Sequence, residues 1–213
     1  MNGKLIVFEG PDGSGKTSVL TEVKRRLDED GIDYLDFREP GGTTISEKIR
    51  NLIIDNDNIK MTARCECLLF AASRAQLIEE AIRPALDEGK LVLCDRFVLS
   101  SLLYQGLGRG LGIDQVREIN DFATNKMRAD LTIFFDIDYK TALERKRANF
   151  SADRLENEDF DFHKKIFDGY VKMSEKYKDE VKKIDATLSI KEVTDEALKL
   201  IYESLEDMQW NYW

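Results

Sequence analysis

Apolar residues along this chain follow two alternating spacings. Short runs of strand length, Lys4–Glu9 (KLIVFE), Leu91–Asp95 (LVLCD) and Leu131–Asp136 (LTIFFD), are separated by longer stretches in which apolar residues recur every three or four positions. In Lys16–Glu29 the recurring residues are Val19, Leu20, Val23 and Leu27, and in Thr44–Ile54 they are Ile45, Ile49, Leu52 and Ile53, so each stretch predicts a helix with one apolar stripe. Tyr34–Arg38 predicts another short strand. Further helices are predicted over residues 62–88, bent near Pro84, and over 138–147, 158–178 and 190–205, with a final edge strand at 182–185. Residues 148–157 are polar and irregular. Strands alternating with helices predict an α/β fold, a parallel sheet of about five strands flanked by helices on both faces. No segment has the composition of a linker, so the 213 residues read as one domain.

The runs LVLCD and LTIFFD each end in an acid, as buried parallel strands do where their carboxyl ends meet a polar site. At the end of the first strand stands Gly10-Pro11-Asp12-Gly13-Ser14-Gly15-Lys16-Thr17, which matches G-x-x-x-x-G-K-[ST] between a strand and a helix. Glycines there let backbone N–H groups curl around an anion at a positive helix N-terminus. Lys16 then reaches the outer phosphates of ATP, and Thr17 offers its hydroxyl to Mg²⁺. The fold is accordingly expected to be of the phosphate-loop NTPase type. Asp95 is placed to hold Mg²⁺ directly or through water, although an Asp ending a strand can equally cap a helix.

Composition narrows the partners. The formal charge of −9 disfavours a nucleic-acid polymer, whose affinity comes mainly from Lys and Arg neutralising phosphates, but leaves room for a small phosphorylated ligand held by a local Arg cluster. Nowhere do about 18 apolar residues run together, so no membrane span is expected and a cytoplasmic protein is. Cys65, Cys67 and Cys94 lack zinc-ligand spacing, and the only histidine, His163, is far from them, so reduced thiols are expected and a Ser-His-Asp mechanism is not.

A switch GTPase would carry Asn-Lys-x-Asp after a strand; Asn125-Lys126-Met127-Arg128 has a cation in place of the acid and precedes the strand. The arginines suit an anionic second substrate instead. Arg38 and Arg96 follow strands, Arg50 and Arg74 lie on predicted helices, and Arg145, Arg147 and Arg154 flank the irregular segment. Phosphoryl transfer requires positioning and charge neutralisation, and a phosphate acceptor needs no general base, so the pattern favours a nucleoside monophosphate kinase over a nucleoside kinase.

Five strings in order then carry a resemblance. The loop Gly10 to Thr17, Arg38-Glu39-Pro40-Gly41-Gly42, Phe70-Ala71-Ala72-Ser73-Arg74, Asp95-Arg96-Phe97 with Ser100-Ser101 and Tyr104-Gln105-Gly106, and Asp153-Arg154-Leu155-Glu156 together resemble the bacterial thymidylate kinases over about residues 4–170. The resemblance implies transfer of the γ-phosphoryl of ATP to dTMP, giving dTDP and ADP for dTTP synthesis, with Mg²⁺ as cofactor. A deoxynucleoside kinase, in which Glu39 would act as base, or another monophosphate kinase is the alternative.

Residue by residue, the resemblance implies that Phe70 stacks on thymine, Arg74 bonds a thymine carbonyl, and Ser101 and Gln105 meet the base edge. Tyr104 would lie against the deoxyribose where a 2′-hydroxyl would clash. Asp12 would sit near the sugar 3′-hydroxyl and the metal, and Arg38, Arg50 and Arg96 near the acceptor phosphate with Glu39 beside them. Lys16, Arg96, Arg145 and Arg154 are the expected catalytic cations. The variable positions of the phosphate loop, Pro11, Asp12 and Ser14, hold no basic residue, so the transferring phosphoryl would be met from a lid at about residues 145–157, Arg154 first. The family usually has Asp-Arg-Tyr where this chain has Asp-Arg-Phe, so Phe97 lacks a hydroxyl. A homodimer is implied, through helices including parts of residues 62–88 and 116–127.

Overall fold

A computed structural model describes residues 3–146 and 153–206. Five strands, β1 (Lys4–Glu9), β2 (Tyr34–Arg38), β3 (Leu91–Asp95), β4 (Leu131–Asp136) and β5 (Val181–Asp185), form one sheet in the order β2-β3-β1-β4-β5, every neighbouring pair parallel. The three central strands read as near-continuous apolar runs because both their faces are covered. Along β1, Ile6 and Phe8 enter one core layer while Leu5 and Val7 enter the opposite one, the period-two alternation of a strand.

Helix α1 (Lys16–Glu29) covers the first face with Val19, Val23 and Leu27, beside α9 (Ile190–Glu206) with Val193, Ala197 and Ile201. Val23 and Leu27 are fully buried, and each such side chain contributes about 1.5–3 kcal/mol. On the other face lies the long helical run after α2 (Thr44–Ile54), made of α3 (Ala63–Leu77) and α4 (Arg83–Asp87). The bend predicted at Pro84 is here a π-helical turn at Ile78–Ile82, just before α4. Pro84 falls within an unbroken helical run, where it can donate no N–H, and the wider turn upstream relieves its ring of the clash with a preceding carbonyl.

The remaining cover is α5 (Val98–Ser101), a π-helical segment Leu102–Gly108, α6 (Ile113–Ala123), α7 (Tyr139–Lys146) and α8 (Phe160–Lys176), the last capped by Asp159 accepting from Phe162 N at 2.8 Å. Leu102, Leu103 and Tyr104 pack there against Phe134 and Tyr170. Arg147 and residues 148–152 of the expected lid, and residues 207–213, lie outside the described residues.

Candidate active site

Strand register brings the chemistry to one edge. Phe8 of β1 and Arg38 of β2 are both level with Asp95 of β3, so the chain leaves three adjacent strands at Glu9, Glu39 and Arg96 at the carboxyl end of the sheet. The exits are tied together, Glu39 N donating to Asp95 O at 3.0 Å and Arg96 N to Phe8 O at 2.9 Å. Arg96 turns with φ +71°, a left-handed conformation that costs a non-glycine residue on the order of 1–3 kcal/mol. The surrounding contacts hold it there.

The phosphate loop is a backbone construction. Gly13 and Gly15 have φ of +84° and +87°, and a Cβ on Gly13 would stand 2.2 Å from the Ala142 carbonyl oxygen, so only glycine fits. Gly15 caps α1 without a side-chain hydrogen bond, leaving the first N–H groups of the helix for an anion. Lys16 is buried and its Nζ donates back to Gly10 O at 2.9 Å. Burial, then the Arg96 charge, holds its ammonium below the ordinary lysine range, against the pull of Asp95, Asp12 and Glu9. A cavity of about 1170 Å³ opens over the loop, with Leu188 and Ile190 at its apolar end and Arg145 on its wall. Arg145 donates to Ala186 O at 2.9 Å, and its Nη1 lies 3.9 Å from where a Cβ of Gly15 would be.

A second cavity, about 170 Å³, lies beside the first, and Asp12, Tyr104 and Glu156 line both. Arg96 stands at the junction. Its Nη2 donates to Asp12 Oδ1 at 2.5 Å, its Nη1 to Ser100 Oγ and Tyr170 OH at 3.1 Å each, and its guanidinium lies over the Tyr104 ring. Tyr104 OH donates to Asp12 Oδ2 at 3.4 Å. Behind Arg96 is Glu9, fully buried, which accepts from Phe97 N, Ser100 N, Ser100 Oγ and Tyr170 OH at 2.7–3.1 Å. With both hydroxyl protons drawn to Glu9, the oxygens of Ser100 and Tyr170 present lone pairs to Arg96.

Phe70, Arg74, Ser101, Gln105, Glu39 and Arg50 all line this second cavity. Arg74 is fully engaged within the protein: it donates to Glu39 Oε2 (2.6 Å from Nε), Ser101 Oγ (3.0 Å) and Phe97 O (2.9 Å), and also to Asn120 Oδ1. Burial pushes the Glu39 carboxyl up, opposed by Arg74. Phe97, which carries no hydroxyl, lies under the Arg74 guanidinium at 5.3 Å. Arg38 and Arg50 both donate to Pro40 O, at 2.9 and 3.0 Å; Arg38 is set further out, paired with Glu47 at 3.1 Å. The Glu39–Pro40 peptide is cis.

Arg154 stands elsewhere than beside the phosphate loop. It is buried, its Nη2 donating to Glu66 Oε2 and its Nε to Ile53 O, both at 2.7 Å, so of the described lid arginines the structure brings Arg145 to the first cavity and Arg154 against α3. Four buried polar atoms of the site, Ser14 Oγ, Glu39 Oε1, Asp95 Oδ1 and Gln105 Oε1, have no hydrogen-bond partner among the described residues. A buried polar atom without a partner calls for a water, an ion or a ligand to complete its bonding. Among the described residues no three His, Cys, Asp or Glu side chains gather into a metal cage. Thr17 and the free Asp95 oxygen supply oxygen donors suited to Mg²⁺, which is usually held by one or two protein ligands together with substrate phosphates.

Two cavities thus share one wall, with a phosphate loop in one and an arginine cluster in the other. The thymidylate kinase family model matches residues 8–197. The chain belongs to this family. Among curated relatives it is 52% identical over 196 residues to the thymidylate kinase of Finegoldia magna, covering 92% of this chain and 96% of that one. The thymidylate kinase of Lactobacillus helveticus is 49% identical over 214 residues (98% and 100%), and that of Clostridium novyi 47% over 196 (91% and 96%). The structure of this thymidylate kinase family member adds residues that sequence reasoning passed over: Glu9, Tyr170, Asn120, Arg109 and Glu66. Glu9 alone left a signal, an acid ending an apolar run like Asp95 and Asp136.

Proposed function

We propose that this protein transfers the γ-phosphoryl group of ATP to dTMP, yielding ADP and dTDP for dTTP synthesis. The observation that carries the reading is the pair of cavities joined at Asp12, Tyr104 and Glu156, which would hold the donor phosphates and an anionic acceptor end to end. In this reading the backbone N–H groups of residues 10–17 and Lys16 hold the ATP phosphates. Thr17 and Asp95 hold Mg²⁺, which when bound neutralises charge on the donor phosphates. Arg96, fixed by Asp12, Ser100 and Tyr170, meets the acceptor phosphate together with Arg50, with Arg38 and Glu39 behind. Phe70, Arg74, Ser101 and Gln105 receive thymine, and Tyr104 faces the deoxyribose. Arg145 supplies a lid cation at the donor cavity. Arg154 would reach the transferring phosphoryl only by leaving Glu66.

The second substrate is a phosphate dianion, so no general base is required. One observation favours a different acceptor, a nucleoside 5′-hydroxyl: buried Glu39 has an unpartnered oxygen and a raised pKa, as a base would. ATP turnover with dTMP, dUMP, dCMP, dGMP and thymidine decides. Rapid turnover of dTMP is expected; reaction of another monophosphate with none of dTMP, or of thymidine alone, overturns the reading.

The reading extends to a homodimer, supported by Phe122 of α6, 92% exposed, and Leu68 of α3, 57% exposed, two large apolar side chains on the helices expected to pair. It also extends to a reducing cytoplasm, supported by three free cysteines, Cys65, Cys67 and Cys94. Among the described residues no helix is long and apolar enough to cross a membrane.

A further inference from the structure

Glu66 takes no part in the roles assigned so far, yet it accepts four hydrogen bonds, as many as Glu9 does. It projects from α3, only 1% exposed, and each of its oxygens is occupied. Oε1 accepts from Gln105 Nε2 at 3.0 Å and Arg109 Nε at 3.1 Å; Oε2 accepts from Arg109 Nη2 at 2.9 Å and Arg154 Nη2 at 2.7 Å. Burial alone would push this carboxyl up, but the bonds from Arg109, Gln105 and Arg154 outweigh it and hold it below the ordinary carboxylate range. Glu66 is therefore ionised, and an ionised carboxylate only accepts.

That polarity fixes the Gln105 side chain. A glutamine amide has one donating and one accepting end, and the two are interchanged by a half-turn about its last bond. Turned the other way, Gln105 would set its oxygen against the Glu66 oxygens. It is held with Nε2 on Glu66, and its Oε1, the end left without a partner among the described residues, is buried at a residue that lines the acceptor cavity. A lone acceptor there suits a base edge that donates. The ring N3–H of thymine or uracil does so from position 3; cytosine donates only from its exocyclic N4, and its N3 would meet the oxygen with a lone pair.

Resting on the acceptor reading above, we infer that Glu66 is a specificity-determining positioning residue, which orients the Gln105 amide so that the site accepts a base bearing an N3–H and rejects cytosine. A site built to bond a substrate N–H discriminates strongly against analogues that leave its polar group unpaired.

The test is the ratio of kcat/KM for dTMP to that for dCMP in Glu66→Gln, Gln105→Leu and the double variant. The ratio cancels any general loss of activity from the disturbed Arg109 and Arg154. A neutral amide at position 66 lets Gln105 turn, so Glu66→Gln lowers the ratio by about tenfold or more. In the Gln105→Leu background the same substitution leaves the ratio where it is. An unchanged ratio in the single variant, or an equal drop in both backgrounds, overturns the inference. If the unaltered protein does not prefer dTMP at all, it is the acceptor reading that fails. Should Glu66→Gln not fold, NMR of the unaltered protein decides: a Gln105 side-chain N–H shifted downfield and slow to exchange, with and without dTMP, is expected, and two freely exchanging protons would overturn it.

Discussion

The phosphate-loop cradle and the wall of the second cavity are built from different materials. The cradle is main chain: glycines at positive φ, helix N–H groups and one lysine, all within residues 10–17. The wall is side chain: Glu39, Arg74 and Arg96 line it from strand ends and a helix far apart in sequence, and hydrogen bonds with buried Glu9, Tyr170 and Glu66 hold the lining in place. A main-chain site tolerates loss of its one cationic side chain without collapsing. A side-chain network does not, since each member removed leaves a buried partner unsatisfied.

Stability separates the two most sharply. Arg74→Leu leaves Glu39 and Asn120 buried without their cation, and unfolding in denaturant should show a loss of about 3–5 kcal/mol. Lys16→Met should leave stability nearly unchanged, and a comparable loss there would erase the distinction. Its effect belongs to catalysis: kcat falls by about 10²–10³ while dTMP affinity, measured by calorimetry, is retained.

The lid arginines come next. Arg145→Ala, beside Gly15, is expected to lower kcat by about a hundredfold with dTMP affinity unchanged, whereas Arg154→Ala, acting through Glu66, should have the smaller effect on kcat. The reverse order in single-turnover rates would mean that Arg154 leaves Glu66 and completes the donor side.

The smallest effect is a proton. Lys16 has a folded-state pKa below its ordinary 10.5, so between the two values the unfolded chain binds more protons, and stability of the nucleotide-free protein rises with pH across that window. Bound phosphates draw the ammonium back to its charged form. Nucleotide affinity should therefore fall as pH rises through the depressed pKa, and calorimetry in buffers of different ionisation heat should detect proton uptake on binding. No uptake anywhere in the alkaline range would contradict this assignment.

The same contrast decides what could be read from sequence. The phosphate loop is contiguous and sits between β1 and α1, so its letters carry its geometry. Strands β1 to β4 and helices α1 and α2 announced themselves by period because each has a single environment along its length. Phe70 and Arg74 came from the resemblance; they stand four residues apart on the regular helix α3, and both line the second cavity. Ser101 and Gln105 share that cavity too, but across the junction of α5 with a π-helical segment, where four-residue spacing no longer defines a face and where no element was predicted. Glu9 finds its partners 88 to 161 residues onward, and Glu66 meets Gln105 and Arg154 39 and 88 residues away. No local pattern encodes such distances; they follow only from the parallel order of the sheet.

Initial-velocity kinetics with ATP and dTMP varied together test the central claim that both nucleotides occupy joined cavities at once. Lines intersecting in double-reciprocal plots are the expected result, since the phosphoryl passes directly from one cavity to the other. Parallel lines, the sign that one substrate leaves before the other arrives, would contradict the account.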